Sequence, residues 1–172
     1  MTVRSNRSKI RTLTQLSMCV SVALLLSYVE LLIPPIYSAI PGIKMGLPNV
    51  AIIFVLYRFG VREAAAVSLV RLAVVAMLFG NPMTLIYSLA GAALSLLGMA
   101  LLRRTDLFST VGVSIAGGVL HNLGQILVAM LLLSTAEIGY YMIVLAVTGT
   151  VSGALVGLCG AFAVARVPHP KS

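Results

Sequence analysis

The sequence predicts an all-α, polytopic membrane protein: a bundle of six transmembrane helices with both termini in the cytoplasm. Three observations carry that expectation. Of the 172 residues, 60% are apolar and only 9% charged, and the mean hydropathy is +1.08. A soluble domain is roughly half apolar and a quarter charged, so a water-soluble globule is excluded. A helix needs about 20 apolar residues to cross a bilayer, which leaves room for about five to seven spans and none for a second, soluble domain. Third, Lys and Arg gather between alternate apolar segments, the asymmetry that orients membrane proteins.

The segments are separated by helix-breaking residues. The first runs from about Leu13 to Ile33 and stops at Pro34-Pro35, which cannot continue a helix. The second, from about Pro48 to Phe59, is short, with Pro48 suited to a first helical turn. It must be tilted, buried by its neighbours, or extended upstream towards Lys44. The third spans Glu63 to Phe79 and ends at Gly80-Asn81-Pro82. The fourth covers Met83 to Leu102, the fifth Val111 to Leu133 and the sixth Tyr140 to Ala165. Residues 1–12 form a basic tail, 13–166 a single transmembrane domain and 167–172 a second tail.

With the N-terminus inside, ten of the twelve cations fall on the cytoplasmic side: Arg4, Arg7, Lys9, Arg11, Arg58, Arg62, Arg103, Arg104, Arg166 and Lys171. The outer loops then hold only Lys44, with Glu137, and Glu30 at a helix end. Five or seven spans would break this alternation. The first apolar run also exceeds the roughly 7–15 residues of a signal-peptide core, so it is expected to be retained as a span. Cys19 and Cys159 lie in apolar runs without CxxC or His spacing and read as packing residues.

Ionisable groups at membrane depth usually face a cavity or a partner. Arg71 falls midway along the third segment and His121 midway along the fifth. His121 and Gln125, four residues apart, share a helix face, with Asn122 beside them. Glu30 lies near the outer end of the first span, and Asn49 opens the second. Together these residues can line a polar cavity entered from outside. The second, fourth and sixth helices start at the outer face, so their positive dipole ends point there. With Lys44 in the preceding loop, the basic groups outnumber Glu30 and suit a phosphate or carboxylate. The structural alternative pairs Arg71 with Glu30 and uses the amides to bridge helices.

Small residues give a second pattern. Gly149, Gly153 and Gly157, with Gly160 following, form a stripe for close helix packing or for docking another membrane subunit. Gly91, Ser95 and Gly98 form a weaker stripe, and Ser17 and Ser21 provide small steps on the first span.

Several activities are excluded by absence. Prenyl diphosphate synthases hold Mg²⁺ with clustered aspartates, whereas this chain has a single aspartate, Asp106. No GxxxxGK[ST] loop is present, so the chain cannot hydrolyse ATP by a P-loop. A serine protease reading of Ser152 with His121 lacks a GxSG match, and the His-before-Ser order is the reverse of the rhomboid proteases. No enzyme activity, cofactor or metal is expected.

The runs Glu30-Leu-Leu-Ile-Pro34 and Pro41-Gly-Ile-Lys-Met-Gly-Leu-Pro-Asn49 carry a family resemblance. So do Arg71, Gly80-Asn81, Tyr87-Ser-Leu-Ala-Gly91, Gly112-Val-Ser-Ile-Ala-Gly-Gly118 and His121-Asn-Leu-Gly-Gln125. Over about residues 13–160 the chain resembles the membrane family called heptaprenyl diphosphate synthase component I, or Gx transporters. Pro48 departs from the small residue expected there. That family is similar to the substrate-binding S components of energy-coupling factor (ECF) transporters, six-helix proteins that work with a transmembrane coupling subunit and two ATPases. Many S components dock through an Ala-xxx-Ala pattern on the first helix, and Ser17-xxx-Ser21 occupies comparable steps here.

The resemblance implies a substrate-binding subunit for a small anionic or amphipathic metabolite in the bacterial plasma membrane. Its contacts would be Lys44, Asn49, Arg71, Asn81, His121, Asn122 and Gln125, with Glu30 orienting the basic groups. The alternative is a non-catalytic membrane accessory of prenyl diphosphate or quinone metabolism, partnered by a soluble prenyl synthase. A membrane part of an electron-transfer system has only His121 in its favour.

Overall fold

The computed structural model describes residues 2–33, 46–79, 82–134 and 136–167. Among the described residues there is no strand, and the helices are α1 (Thr2–Leu32), α2 (Asn49–Arg58), α3 (Val61–Phe79), α4 (Pro82–Arg104), α5 (Thr110–Leu133) and α6 (Met142–Arg166). A short 3-10 helix, Ala136–Tyr141, precedes α6.

Four stretches are long and apolar enough to cross a membrane: Lys9–Leu32, Pro82–Arg104, Thr110–Leu133 and Gly139–Arg166. Their outward side chains are apolar, as Leu25, Leu97, Leu131 and Leu155 show with more than half of their surface exposed. Such faces suit lipid, and the chain is a helical membrane protein. The other two helices differ for physical reasons. α3 has 19 residues but carries Arg62, Glu63 and Arg71. α2 has 10 residues, about 15 Å of helix at 1.5 Å per residue, or half a bilayer core.

Burial accounts for α2. Ala51, Ile52, Ile53, Val55 and Leu56 are all buried, and α2 packs against α1, α3 and α6. Its apolar side chains form the centre of a core with Val67 of α3, Met99 of α4, Val113 of α5 and Val156 of α6. Pro48 stands just before the first helical residue, in a turn closed by Asn49 N–H donating to Gly46 O (2.8 Å). At the other end Gly60 has φ +124°, a conformation that a side chain would strain, and its N–H donates to Val55 O (3.2 Å). That turn reverses the chain directly into α3.

The helices alternate in direction. The rings of Tyr28 and Phe79, near the C-terminal ends of α1 and α3, stand 5.8 Å apart. The Arg103 guanidinium, at the end of α4, donates to Leu56 O and Tyr57 O at the end of α2 and lies 5.0 Å from the Tyr57 ring centre. Antiparallel α5 and α6 meet through glycine. A Cβ on Gly118 would lie 2.4 Å from Gly149 O, and one on Gly153 would lie 2.7 Å from Ile115 Cα. Gly157 stands equally close to Val111 and Ser114, and Gly160 to Ile53 of α2. The stripe is therefore covered within the bundle, by α5 and α2, which leaves no free glycine face there for a second subunit.

Two helix starts have local causes. Helix α1 begins at Thr2, so the basic segment expected as a tail continues the first helix. No Pro or Gly interrupts residues 2–12, and nothing else there stops the helix. The fifth helix is capped by Ser109, whose hydroxyl accepts Gly112 N–H at 3.2 Å.

Candidate functional site

The helix ends opposite Arg58, Arg62, Arg103 and Arg166 enclose a polar cavity. Its construction starts on α1, where Ser27 and Glu30 are three residues apart and share a face. The Ser27 hydroxyl is spent within the helix, donating to Ala23 O at 2.8 Å. The Glu30 carboxylate accepts the Gly46 N–H through Oε1, tying the end of α1 to the turn that starts α2. Gly46 has φ +70°, which favours glycine at that turn.

Arg71 comes from the middle of α3 and is only 9% exposed. Its Nε is buried without a hydrogen-bond partner. Glu30 acts on it electrostatically, yet no hydrogen bond or ion pair joins the two among the described residues. A buried guanidinium with an open donor is costly unless something accepts from it.

The third wall is α5. Gln125 Nε2 and His121 Nε2 lie 3.3 Å apart, one turn along the same face. Gly91 of α4 makes room for them: a Cβ there would come 2.8 Å from His121 O, 3.0 Å from Gln125 Cγ and 3.1 Å from His121 Cε1. Asn122 is used differently, its amide donating to Leu145 O of α6 at 2.7 Å. Gly149 leaves the space for that bridge, since a Cβ there would stand 2.9 Å from Asn122 Nδ2.

Glu30, Asn49, Arg71, His121, Asn122 and Gln125 all line one cavity, whose free space including its open mouth is ≈ 750 Å³. All six helices contribute, since Ser88 of α4 and Ser152 of α6 complete the wall. Lys44 and Asn81 lie outside the described residues. Sequence reasoning did not assign Ser27, Gly46, Ser88 or Ser152 to the cavity. The available signal was spacing: Ser27 one turn before Glu30, and Ser152 one turn after Gly149. The Ser152 hydroxyl donates to Gly149 O at 3.3 Å in its own helix. Below the cavity a smaller recess shares Gly46, Asn49, Gly118 and Ser152 with it and reaches Ser95, Ser114 and Met99.

Ser17 and Ser21 are not part of this cavity. Both are exposed on α1, with the Ser21 hydroxyl donating to Ser17 O at 3.1 Å. No group of three or more His, Cys, Asp or Glu side chains that could hold a metal ion occurs among the described residues.

The fold and cavity define a class: a small helical membrane protein with a polar, arginine-containing site between its helices. Comparison with protein families narrows it. The family described as "Heptaprenyl diphosphate synthase component I" matches residues 19–163, and the chain belongs to that family. No curated protein and no solved structure matches the chain.

Proposed function

We propose that this protein is a non-catalytic, substrate-binding subunit of a membrane transporter, of the S-component type, which holds a small anionic or amphipathic metabolite between its helices. The observation that carries the reading is the buried Arg71, with an unpartnered Nε in a cavity lined by all six helices. A purely structural arginine is expected to have its donors satisfied by the protein around it. Arg58 at the opposite end also has buried donors without a partner; what singles out Arg71 is that its open donor belongs to a residue lining the cavity, where a ligand can be the acceptor. His121, Gln125 and Asn49 line the same cavity with further polar groups.

In this proposal all six helices sit within the bilayer, α2 buried among its neighbours and α3 presenting Leu69, Val70 and Met77 to lipid. The basic residues at one end, Arg58, Arg62, Arg103, Arg104 and Arg166, set that end in the cytoplasm of a bacterial cell. The cavity then opens outward, where a substrate-binding subunit must collect its ligand. Ser17 and Ser21, exposed on α1, offer a small-residue surface for a coupling subunit, with ATPases supplying the energy that this chain has no P-loop to supply.

A second reading is favoured by the family's name, which implies a partner of prenyl diphosphate synthesis. In that reading the chain is a membrane accessory: Arg71 grips a diphosphate and the partner is a soluble prenyl synthase. Affinity purification from the native membrane separates the two. Recovery of a polytopic coupling subunit with ATPases supports the transporter subunit. Recovery of a soluble synthase without them refutes it.

A further inference from the structure

We infer that the cavity takes a compact zwitterion, with a carboxylate or phosphate held by Arg71 and an ammonium group held by Glu30. The inference rests on the substrate-binding reading above and names the chemical class of its ligand. It departs from a simple preference for anions, because among the described lining residues the charges are matched one to one, Arg71 against Glu30.

Each of the two groups has capacity left. Arg71 Nε is buried and without an acceptor. Glu30 Oε1 accepts from Gly46, while Oε2 makes no hydrogen bond among the described residues. The two share a cavity and act on each other electrostatically, yet they do not close into an ion pair. A gap between opposite charges in a low-dielectric site suits a molecule that bridges them.

Charge balance decides between ligand classes. Among the described lining residues Arg71 and Glu30 sum to zero, so against these two a plain anion would leave a net negative charge and a plain amine a net positive one. Unmatched charge at membrane depth is costly. A zwitterion fills both positions and keeps the site neutral. Size follows from the walls: Asn49, Gln125, Ser88 and Ser152 surround the charges, and the recess beneath ends on Ser95 and Ser114. The polar groups suit a small hydrogen-bonding molecule, and the apolar lining, Leu31, Leu72 and Val75 in the cavity with Ile53, Met99 and Val156 in the recess, suits a short apolar segment between its two charges.

The test uses purified full-length protein in lipid nanodiscs and isothermal titration with defined probes. 4-Aminobutyrate carries both charges; butyrate and butylamine each carry one. Glycerophosphoethanolamine, a neutral zwitterion, and dimethyl phosphate repeat the comparison with a singly charged phosphodiester. At least one zwitterion is expected to bind about tenfold or more tightly than its singly charged counterparts, a gap of about 1.4 kcal/mol or more. Glu30→Gln keeps a carbonyl for Gly46 and should erase that advantage while leaving anion binding. Arg71→Gln should remove binding of every probe. Equal binding of butyrate and 4-aminobutyrate, an advantage that survives Glu30→Gln, or no binding of any probe each overturns the zwitterion. Native mass spectrometry of the same preparation keeps the two claims apart. A retained small molecule preserves the binding-subunit reading when the zwitterion fails; an empty protein that binds no probe ends both.

Discussion

The Glu30 carboxylate on α1 accepts the backbone N–H of Gly46, so the wall of the cavity and the start of α2 are one hydrogen-bonded unit. α2 itself is short and buried on most of its surface. Its position therefore depends on how its two ends are held, and polar contacts hold both.

At the first end, Glu30→Ala removes the acceptor and leaves the Gly46 N–H without its partner. The expected cost is about 0.5–1.5 kcal/mol, the usual net worth of a hydrogen bond, since both groups are half-buried at the cavity wall. Glu30→Gln, which retains an acceptor, should recover most of it. Thermal unfolding of the detergent-solubilised variants checks the order: wild type, then Gln, then Ala.

At the other end, Arg103 holds the carbonyls of Leu56 and Tyr57 and stacks on the Tyr57 ring. Arg103→Met keeps the stem but loses the charge-assisted hydrogen bonds, and should cost about 1.5–3 kcal/mol. Arg103→Lys should fall between, because an ammonium cannot reproduce the planar fork. Loss of protease resistance around the α2–α3 turn is the accompanying signature.

The glycine contacts make a sharper case. At Gly118 a methyl group would meet the Gly149 backbone carbonyl at 2.4 Å, and a backbone atom cannot swing aside. Gly118→Ala should therefore separate α5 from α6 and lower stability by about 1–3 kcal/mol, as overpacking does. Gly112→Ala is the control, since its nearest neighbours stand 3.7 Å away. Equal melting temperatures for the two variants would contradict this packing.

Orientation is checked by labelling. After Cys19 and Cys159 are replaced by Ser, single cysteines at Leu107→Cys and Tyr140→Cys place a thiol at opposite ends of the bundle. Both native side chains are more than 80% exposed. A membrane-impermeant maleimide added to intact cells should label the second and not the first; the reverse pattern contradicts the cytoplasmic placement of Arg103 and Arg104.

Much of this was legible in the sequence because it rests on composition and punctuation. Pro34, Gly60, Pro82 and Ser109 stand beside helix ends, and the breaks between apolar runs located the helices to within a few residues, α1 excepted. The apolar run alone does not mark where α1 begins, because the charged, polar segment before it has no Pro or Gly and the helix runs on through it. Arg71, His121 and Gln125 were noticeable as polar residues at membrane depth, and the structure brings them to one cavity. What the sequence concealed was the division of labour among them. Asn122 sits beside His121, yet its amide reaches across to Leu145 because Gly149 opens the way, a relation between residues far apart in the chain. Nor does the sequence show that the Glu30 carboxylate, besides acting on Arg71, accepts a backbone N–H from the turn before α2.

The central claim is that the cavity around Arg71 holds a ligand. Native mass spectrometry of gently extracted protein, wild type against Arg71→Ala, tests it most directly. The wild type should carry a small molecule that is reduced or lost in the variant. A folded wild-type protein that carries no mass beyond its own and binds none of the charged probes would contradict it.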